Sequence, residues 1–166
     1  MSITSNYIVH NIAPFLPNGL CNRIYRIYGL KNGENVRNMT YIQSLEGLHL
    51  GRNVFINRFC RIYNGNNPEI ADSHIIIGDN VTIGYGTTIA SSTHDIKSSG
   101  QRAAFRDIIF RPVVIGEGTW ICANCIILPG VTVGKGCVIA AGSVVVKDCN
   151  DNCLYGGNPA RYIKEL

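Results

Sequence analysis

Charge is what this 166-residue chain has least of: Asp, Glu, Lys and Arg together make up 16%. With 46% hydrophobic residues beside so little charge, a disordered chain is excluded, and the thin charged surface implies that area is covered in an oligomer. No run of 18 apolar residues exists, which excludes a membrane-spanning helix. The opening MSITSNYIVHNIAP lacks a basic start followed by an apolar stretch, so no secretory signal is read and a cytoplasmic protein is expected. In that compartment the seven cysteines, an odd number, are expected as reduced thiols rather than a disulfide framework. Acidic residues are scarce in one region: positions 1–62 hold seven Lys/Arg against two Asp/Glu, while the remainder holds eight against nine. A basic N-terminal third is either a solvated face or one suited to an acidic sugar or phosphate.

What the chain has in abundance is a period of six. LGRNVF begins at 50 and INRFCR at 56; IGDNVT, IGYGTT and IASSTH follow from 77. Six further units, IGEGTW, ICANCI, ILPGVT, VGKGCV, IAAGSV and VVKDCN, run unbroken from 115. Six fits neither a helix nor an alternating strand. It fits short parallel strands joined by tight turns, with the first-position aliphatic and the small fifth-position residue pointing inward. Glycine at the second position is expected to supply a positive-φ turn. Three units make a triangular coil, and about five coils stack at roughly 4.8 Å. Cys60, Cys125, Cys137 and Cys149 all occupy the fifth position, so size explains them; Cys122 and Cys125 form a CxxC without a second pair at zinc-like spacing. Ahead of the repeat, NGLCNRIYRIYGL places Leu20, Ile24, Ile27 and Tyr28 at helical spacing with Arg23 and Arg26 opposite, a cap for the open end of the stack. The expected layout is a single domain: a cap over 1–47, a β-helix over 48–154 with a loop protruding at 95–112, and a tail over 155–166.

From about residue 48 onward the sequence resembles the hexapeptide-repeat acyltransferases, in the branch of maltose, galactoside and exopolysaccharide O-acetyltransferases. STHDI, RPVVIGEGTWI, ILPGVTVGKGCVIAAGSVVVKD and GGNPARYIK carry the resemblance. It implies a left-handed parallel β-helix, a homotrimer, and acetyl-CoA bound in the groove between adjacent subunits. It also implies an acceptor that is a sugar hydroxyl or glycan precursor, as in polysaccharide biosynthesis, with no metal, nucleic acid or membrane insertion required.

Acetyl transfer to a hydroxyl needs a base, and histidine titrates in the right range. His94 closes the unit IASSTH, where the repeat breaks, and matches the family's catalytic histidine, although Asp95 stands where the family carries proline. By the same resemblance Asn57 matches an acceptor-holding asparagine and Trp120 a tryptophan beside the groove. Phe55 falls where some members have an acceptor-contacting tyrosine. Ala123, Ala141, Gly142, Lys147, Arg161 and Lys164 match the acetyl-CoA positions: small residues for a narrow slot, then basic ones for phosphates. Asn57 also has a structural reading, as a second-position residue tolerating a left-handed backbone. From Ile89 to Ile115 is 26 residues, not a multiple of six, so the excursion is an insertion suited to an acceptor wall, with Arg102, Arg106 and Arg111 in reach. The alternatives are an N-acetyltransferase of an amino or nucleotide sugar, a zinc lyase on the same scaffold, and a non-catalytic scaffold. The lyase needs three converging histidines, and only His74 and His94 lie in the repeat region.

Overall fold

The computed structural model describes residues 8–32, 35–65, 71–96, 100 and 108–166. A π-helical turn (Ile8–Ile12), a 3-10 turn (Ala13–Phe15) and helix α1 (Asn18–Ile27) precede the strands. Coil 1 is β1 (Asn35–Val36), β2 (Tyr41–Ile42) and β3 (Leu48–Leu50); coil 2 is β4 (Phe55–Ile56), β5 (Arg61–Tyr63) and β6 (Ile75–Ile77). Coil 3 is β7 (Thr82–Ile83) and β8 (Thr88–Ala90), then a hairpin of β9 (Ser92–His94) and β10 (Ile108–Phe110), then β11 (Val113–Ile115). Coil 4 is β12 (Trp120–Ile121), β13 (Ile126–Ile127) and β14 (Thr132–Val133). Coil 5 is β15 (Val138–Ile139) and β16 (Val144–Val145), and β17 (Cys153–Gly157) and β18 (Ala160–Glu165) close the chain.

Corresponding strands of successive coils pair in parallel, giving the three faces of a prism. Sheet 1 runs β1-β4-β7-β12-β15-β17-β18, sheet 2 runs β2-β5-β8-β13-β16, and sheet 3 runs β3-β6-β11-β14. The register stacks Val36, Ile56, Ile83, Ile121 and Ile139 in one inward column, and Ile42, Ile62, Ile89, Ile127 and Val145 in the next. All are buried. Each such side chain contributes about 1.5–3 kcal/mol on burial, so Ile83→Ala, at the middle of its column, costs about 2–5 kcal/mol.

The fifth position is more than small. Thr40, Cys60, Thr87 and Cys125 each donate from their side chain to the second-position carbonyl of the next coil, at Asn57 (2.9 Å), Gly84 (3.2 Å), Cys122 (3.1 Å) and Ala140 (3.2 Å). One second-position carbonyl per coil is bonded in this way. Burial pushes the Cys60 thiol up to about 11 and Cys149 to about 12, so both are protonated donors at neutral pH.

The second-position glycines do something other than expected. The positive φ falls at the fourth position, at Gly118 (70°), Asn124 (58°), Gly130 (84°), Gly136 (62°) and Gly142 (72°). The second-position glycines instead admit the next coil: a Cβ on Gly116 would stand 2.6 Å from Lys135 N, and one on Gly84 2.6 Å from Ala123 N. Asn57 shares that second position, so the left-handed reading of it does not hold; Phe59 carries the positive φ of its turn.

Two further differences concern the ends. The strands begin at Asn35, inside the segment read as a cap, because Val36, Ile42 and Leu48 already repeat every six residues without glycines to mark them. Helix α1 forms as expected but turns Cys21 and Tyr25 inward, leaving Leu20 and Ile27 exposed. Tyr25 sets that rotation by donating its hydroxyl to the buried Thr40 carbonyl at 3.1 Å. At the other end the tail is an antiparallel strand, β18, that extends sheet 1.

Candidate active site

His94, Asn57, Ala123, Ala141 and Gly142 fall on two edges of sheet 2, whereas Trp120, Arg161 and Lys164 belong to strands of sheet 1. The first edge, between sheets 1 and 2, is built from fourth-position turns linked by a ladder: Gly86 N–H to Arg58 O (3.1 Å), Asn124 N–H to Tyr85 O (2.7 Å) and Gly142 N–H to Ala123 O (2.9 Å). In coils 2 and 3 this edge carries Arg58, Phe59 and Tyr85, with the Phe59 and Tyr85 rings 5.1 Å apart. In coils 4 and 5 it carries Ala123, Asn124, Ala141 and Gly142; the Asn124 side chain turns back over Gly86, and nothing lies within 4 Å of where a Gly142 Cβ would project. The result is a strip of small residues between Asn124 and the end of the stack, with an aromatic wall on the coil 2–3 side. Sequence reasoning found the strip and missed the wall, whose signal was the bulky pair at turn positions where other units carry small residues.

Asn57 lies on the same edge, half-buried, and its amide oxygen accepts the Arg58 N–H at 2.8 Å. That bond commits the oxygen to the turn and leaves any acceptor contact to the Nδ2 end. Trp120 lies on the outer face of sheet 1, about half exposed, between Thr82 and Val138 in the register. On that face Phe55 is covered by the Arg37 guanidinium, 5.2 Å from its ring centre, a cation–π contact in place of a hydroxyl.

His94 lies on the other edge of sheet 2. The repeat stops at Ser91, whose hydroxyl donates to Ser73 O at 2.6 Å and whose carbonyl accepts Arg111 N–H at 2.8 Å. These bonds fix the base of the β9–β10 hairpin, in which His94 pairs with Ile108. His94 therefore ends a paired strand and is half-buried, rather than opening a loop. The Phe110 ring seats on Gly65, where a Cβ would come within 2.7 Å of its edge, so this glycine is a condition of the hairpin's position. Positions 102 and 106, with the rest of 97–99 and 101–107, lie outside the described residues, whereas Arg111 lays its side chain over Gly130.

The structure thus brings Asn57, Ala123, Ala141 and Gly142 onto one edge and sets His94 on the opposite one. The three residues of β8 alone put about 10 Å between the edges. Between them the outer face of sheet 2 shows Tyr41, Arg61, Tyr63, Ile126 and Val146, all exposed, with the two tyrosine rings 5.6 Å apart. Lys147 and Arg161 meet around a groove of about 240 Å³ at the C-terminal end of the stack, beside Tyr155 and Tyr162. Lys164, farther along β18 and opposite Leu154, is not among its lining residues. Arg52, in the basic N-terminal third, is paired with Asp79, whose Oδ2 accepts two guanidinium N–H bonds (2.8 and 2.7 Å); the Arg52 backbone N–H, and then its guanidinium, hold that carboxyl below the usual carboxylate range.

Comparison with known proteins places this architecture. The profile of the family described as bacterial transferase hexapeptide (six repeats) matches residues 112–147. The chain is 34% identical over 141 residues to the galactoside O-acetyltransferase of Escherichia coli K12, covering 81% of this chain and 63% of that one. A maltose O-acetyltransferase from Clostridium difficile 630 superposes with a TM-score of 0.78 at 31% identity, over 98% of this chain and 83% of the other. A hexapeptide-repeat acetyltransferase of Vibrio cholerae solved with acetyl coenzyme A gives a TM-score of 0.72 at 26% identity, over 98% and 84%. The prism is the left-handed parallel β-helix that the resemblance implied. The chain spans between 53% and 63% of the length of the first curated relatives it matches. Among the described residues no helix is long and apolar enough to cross a membrane.

Proposed function

From the premise that this chain belongs to the bacterial hexapeptide-repeat transferases, we propose that it is an acetyl-CoA-dependent O-acetyltransferase acting on a hydroxyl of a sugar or polysaccharide precursor. One observation carries the reading: small residues, Ala123, Ala141 and Gly142, and a histidine held on a hairpin lie on opposite edges of the sheet 2 face. A thin pantetheine chain fits a strip of small residues, and Lys147 and Arg161 supply positive charge for phosphates at the end of the stack. Neither edge is a site alone. Packing the outer face of sheet 2 around a threefold axis sets the His94 edge of one subunit against the strip of the next, so the active unit is a homotrimer.

In this arrangement the neutral imidazole of His94 takes the proton of the acceptor hydroxyl as its oxygen attacks the thioester carbonyl. Backbone N–H groups at the edge of the strip would meet the oxyanion. The carbon–sulfur bond then breaks, and the imidazolium returns its proton to the leaving thiolate. The thiols take no part: burial raises Cys60, Cys125, Cys137 and Cys149 alike. Relatives named as galactoside and maltose O-acetyltransferases support sugar hydroxyls as the acceptor class. An acceptor screen with labelled acetyl-CoA, over free sugars, nucleotide sugars and surface polysaccharides, tests this directly. Label transfer to a sugar hydroxyl that is lost in His94→Ala is the expected result. Absence of both acetyl-CoA binding and CoA release with every acceptor would overturn it.

A further inference from the structure

His49 and His74 are 25 residues apart and absent from the chemistry above, yet their rings meet on sheet 3. The β3–β6 register sets His49 opposite Ile76, and Ile75 N–H donates to Gly47 O at 2.9 Å, so both histidines hang from paired backbone. His49 Nε2 lies 3.1 Å from His74 Nδ1. We propose that these two imidazoles form a binding site for a divalent transition ion such as zinc, with water completing the coordination.

The ring spacing suits a shared ion better than a straight hydrogen bond. Two nitrogens each about 2.05 Å from one ion and about 3.1 Å apart subtend about 98°, between tetrahedral and octahedral angles. Each ring centre lies about 1.15 Å behind its nitrogen, so two rings aimed at one ion hold their centres about 4.8 Å apart; a straight N–H···N bond of the same length holds them about 5.4 Å apart. The observed separation is 4.8 Å, with the planes at 56°. That spacing matches two rings aimed at one ion.

The setting suits a bound ion. His49 is exposed beside a cleft of about 300 Å³ lined by Glu46 and Lys31, so water reaches the remaining positions. Imidazole nitrogens favour zinc, copper and nickel over the hard cations. No group of three or more His, Cys, Asp or Glu is placed to hold an ion among the described residues, so this is a two-ligand site of moderate affinity. When both rings ligate, the proton of His49 sits on Nδ1 and that of His74 on Nε2. Binding therefore shifts a tautomer instead of releasing a thiol proton.

Zinc titration of the intact protein, followed by calorimetry and by nitrogen-edited NMR of the histidine rings, tests the site. One zinc per chain is expected, with the ring protons settling on His49 Nδ1 and His74 Nε2. His49→Ala and His74→Ala should each weaken uptake by at least about tenfold, the scale on which metal sites respond to loss even of orienting partners. Their thermal transitions report whether each variant is folded, and the NMR assignment needs no variant at all. Absence of uptake at about tenfold zinc excess, uptake unaltered in both variants, or zinc-induced shifts confined to His94 would each overturn the proposal.

Discussion

The two edges of sheet 2 share a face and little else. The first is the repeat at its most regular: one turn per coil, one ladder bond per turn, and in coils 4 and 5 no side chain larger than a methyl at Ala123, Ala141 and Gly142. The second is where the repeat is interrupted twice, between β5 and β6 and between β8 and β11, and the second interruption carries His94 on a hairpin. Regularity leaves a long uniform slot and cannot place a base. Interruption places a base and cannot make a slot. On this account the molecule needs both, and it needs them from two copies.

Removing the base breaks the comparison most severely. His94→Ala should lower kcat by about 10²–10⁴-fold while leaving acetyl-CoA binding unchanged, measured as turnover beside direct binding. Filling the slot should do the opposite. Ala141→Trp is expected to raise KM for acetyl-CoA by at least about tenfold, about 1.4 kcal/mol of binding, with the melting temperature preserved because position 141 is exposed. Gly65→Ala sharpens the contrast from inside: pushing Phe110 off its seat should cost about 1–3 kcal/mol of stability and reduce kcat more than KM for acetyl-CoA, since only the His94 edge moves.

The smallest effect belongs to the third face. His49 titrates below the usual imidazole range because of burial and then His74, with Glu46 and Lys31 lining the adjacent cleft. A depressed histidine makes the folded state bind fewer protons than the unfolded one near pH 6. Stability is therefore full above the unfolded value of about 6.5 and declines as pH falls through the folded value. Melting temperatures measured from pH 7.5 to 5 should show this decline, and His49→Gln should flatten it.

How far the sequence could be read follows the same division. The unbroken hexads from Ile115 placed β11 to β16, and their first-position residues Ile115, Ile121, Ile127, Val133, Ile139 and Val145 are all buried. Coil 1 was hidden because Val36, Ile42 and Leu48 keep the period while Met39, with φ of 60°, takes the left-handed turn usually marked by glycine or asparagine. The second-position glycines were correctly noticed and wrongly explained, since close approach between coils leaves the same residue as a turn does. His94 was legible as the residue at the break. Its hairpin was not, because pairing of Ser92–His94 with Ile108–Phe110 depends on a fold-back across the insertion. The His49–His74 pair was invisible for a related reason: it depends on the register of β3 against β6.

The central claim is that a working site takes one edge from each of two subunits. The direct measurement mixes two impaired proteins, His94→Ala and Ala141→Trp, unfolds and refolds them together at equal amounts, and assays acetyl transfer at acetyl-CoA far below the raised KM of Ala141→Trp. In random trimers a site is intact when an Ala141→Trp subunit offers its His94 edge to the strip of a His94→Ala neighbour, so about a quarter of wild-type activity should return. No recovery from a mixture that has demonstrably exchanged subunits would contradict the account, placing both edges of each site within a single chain.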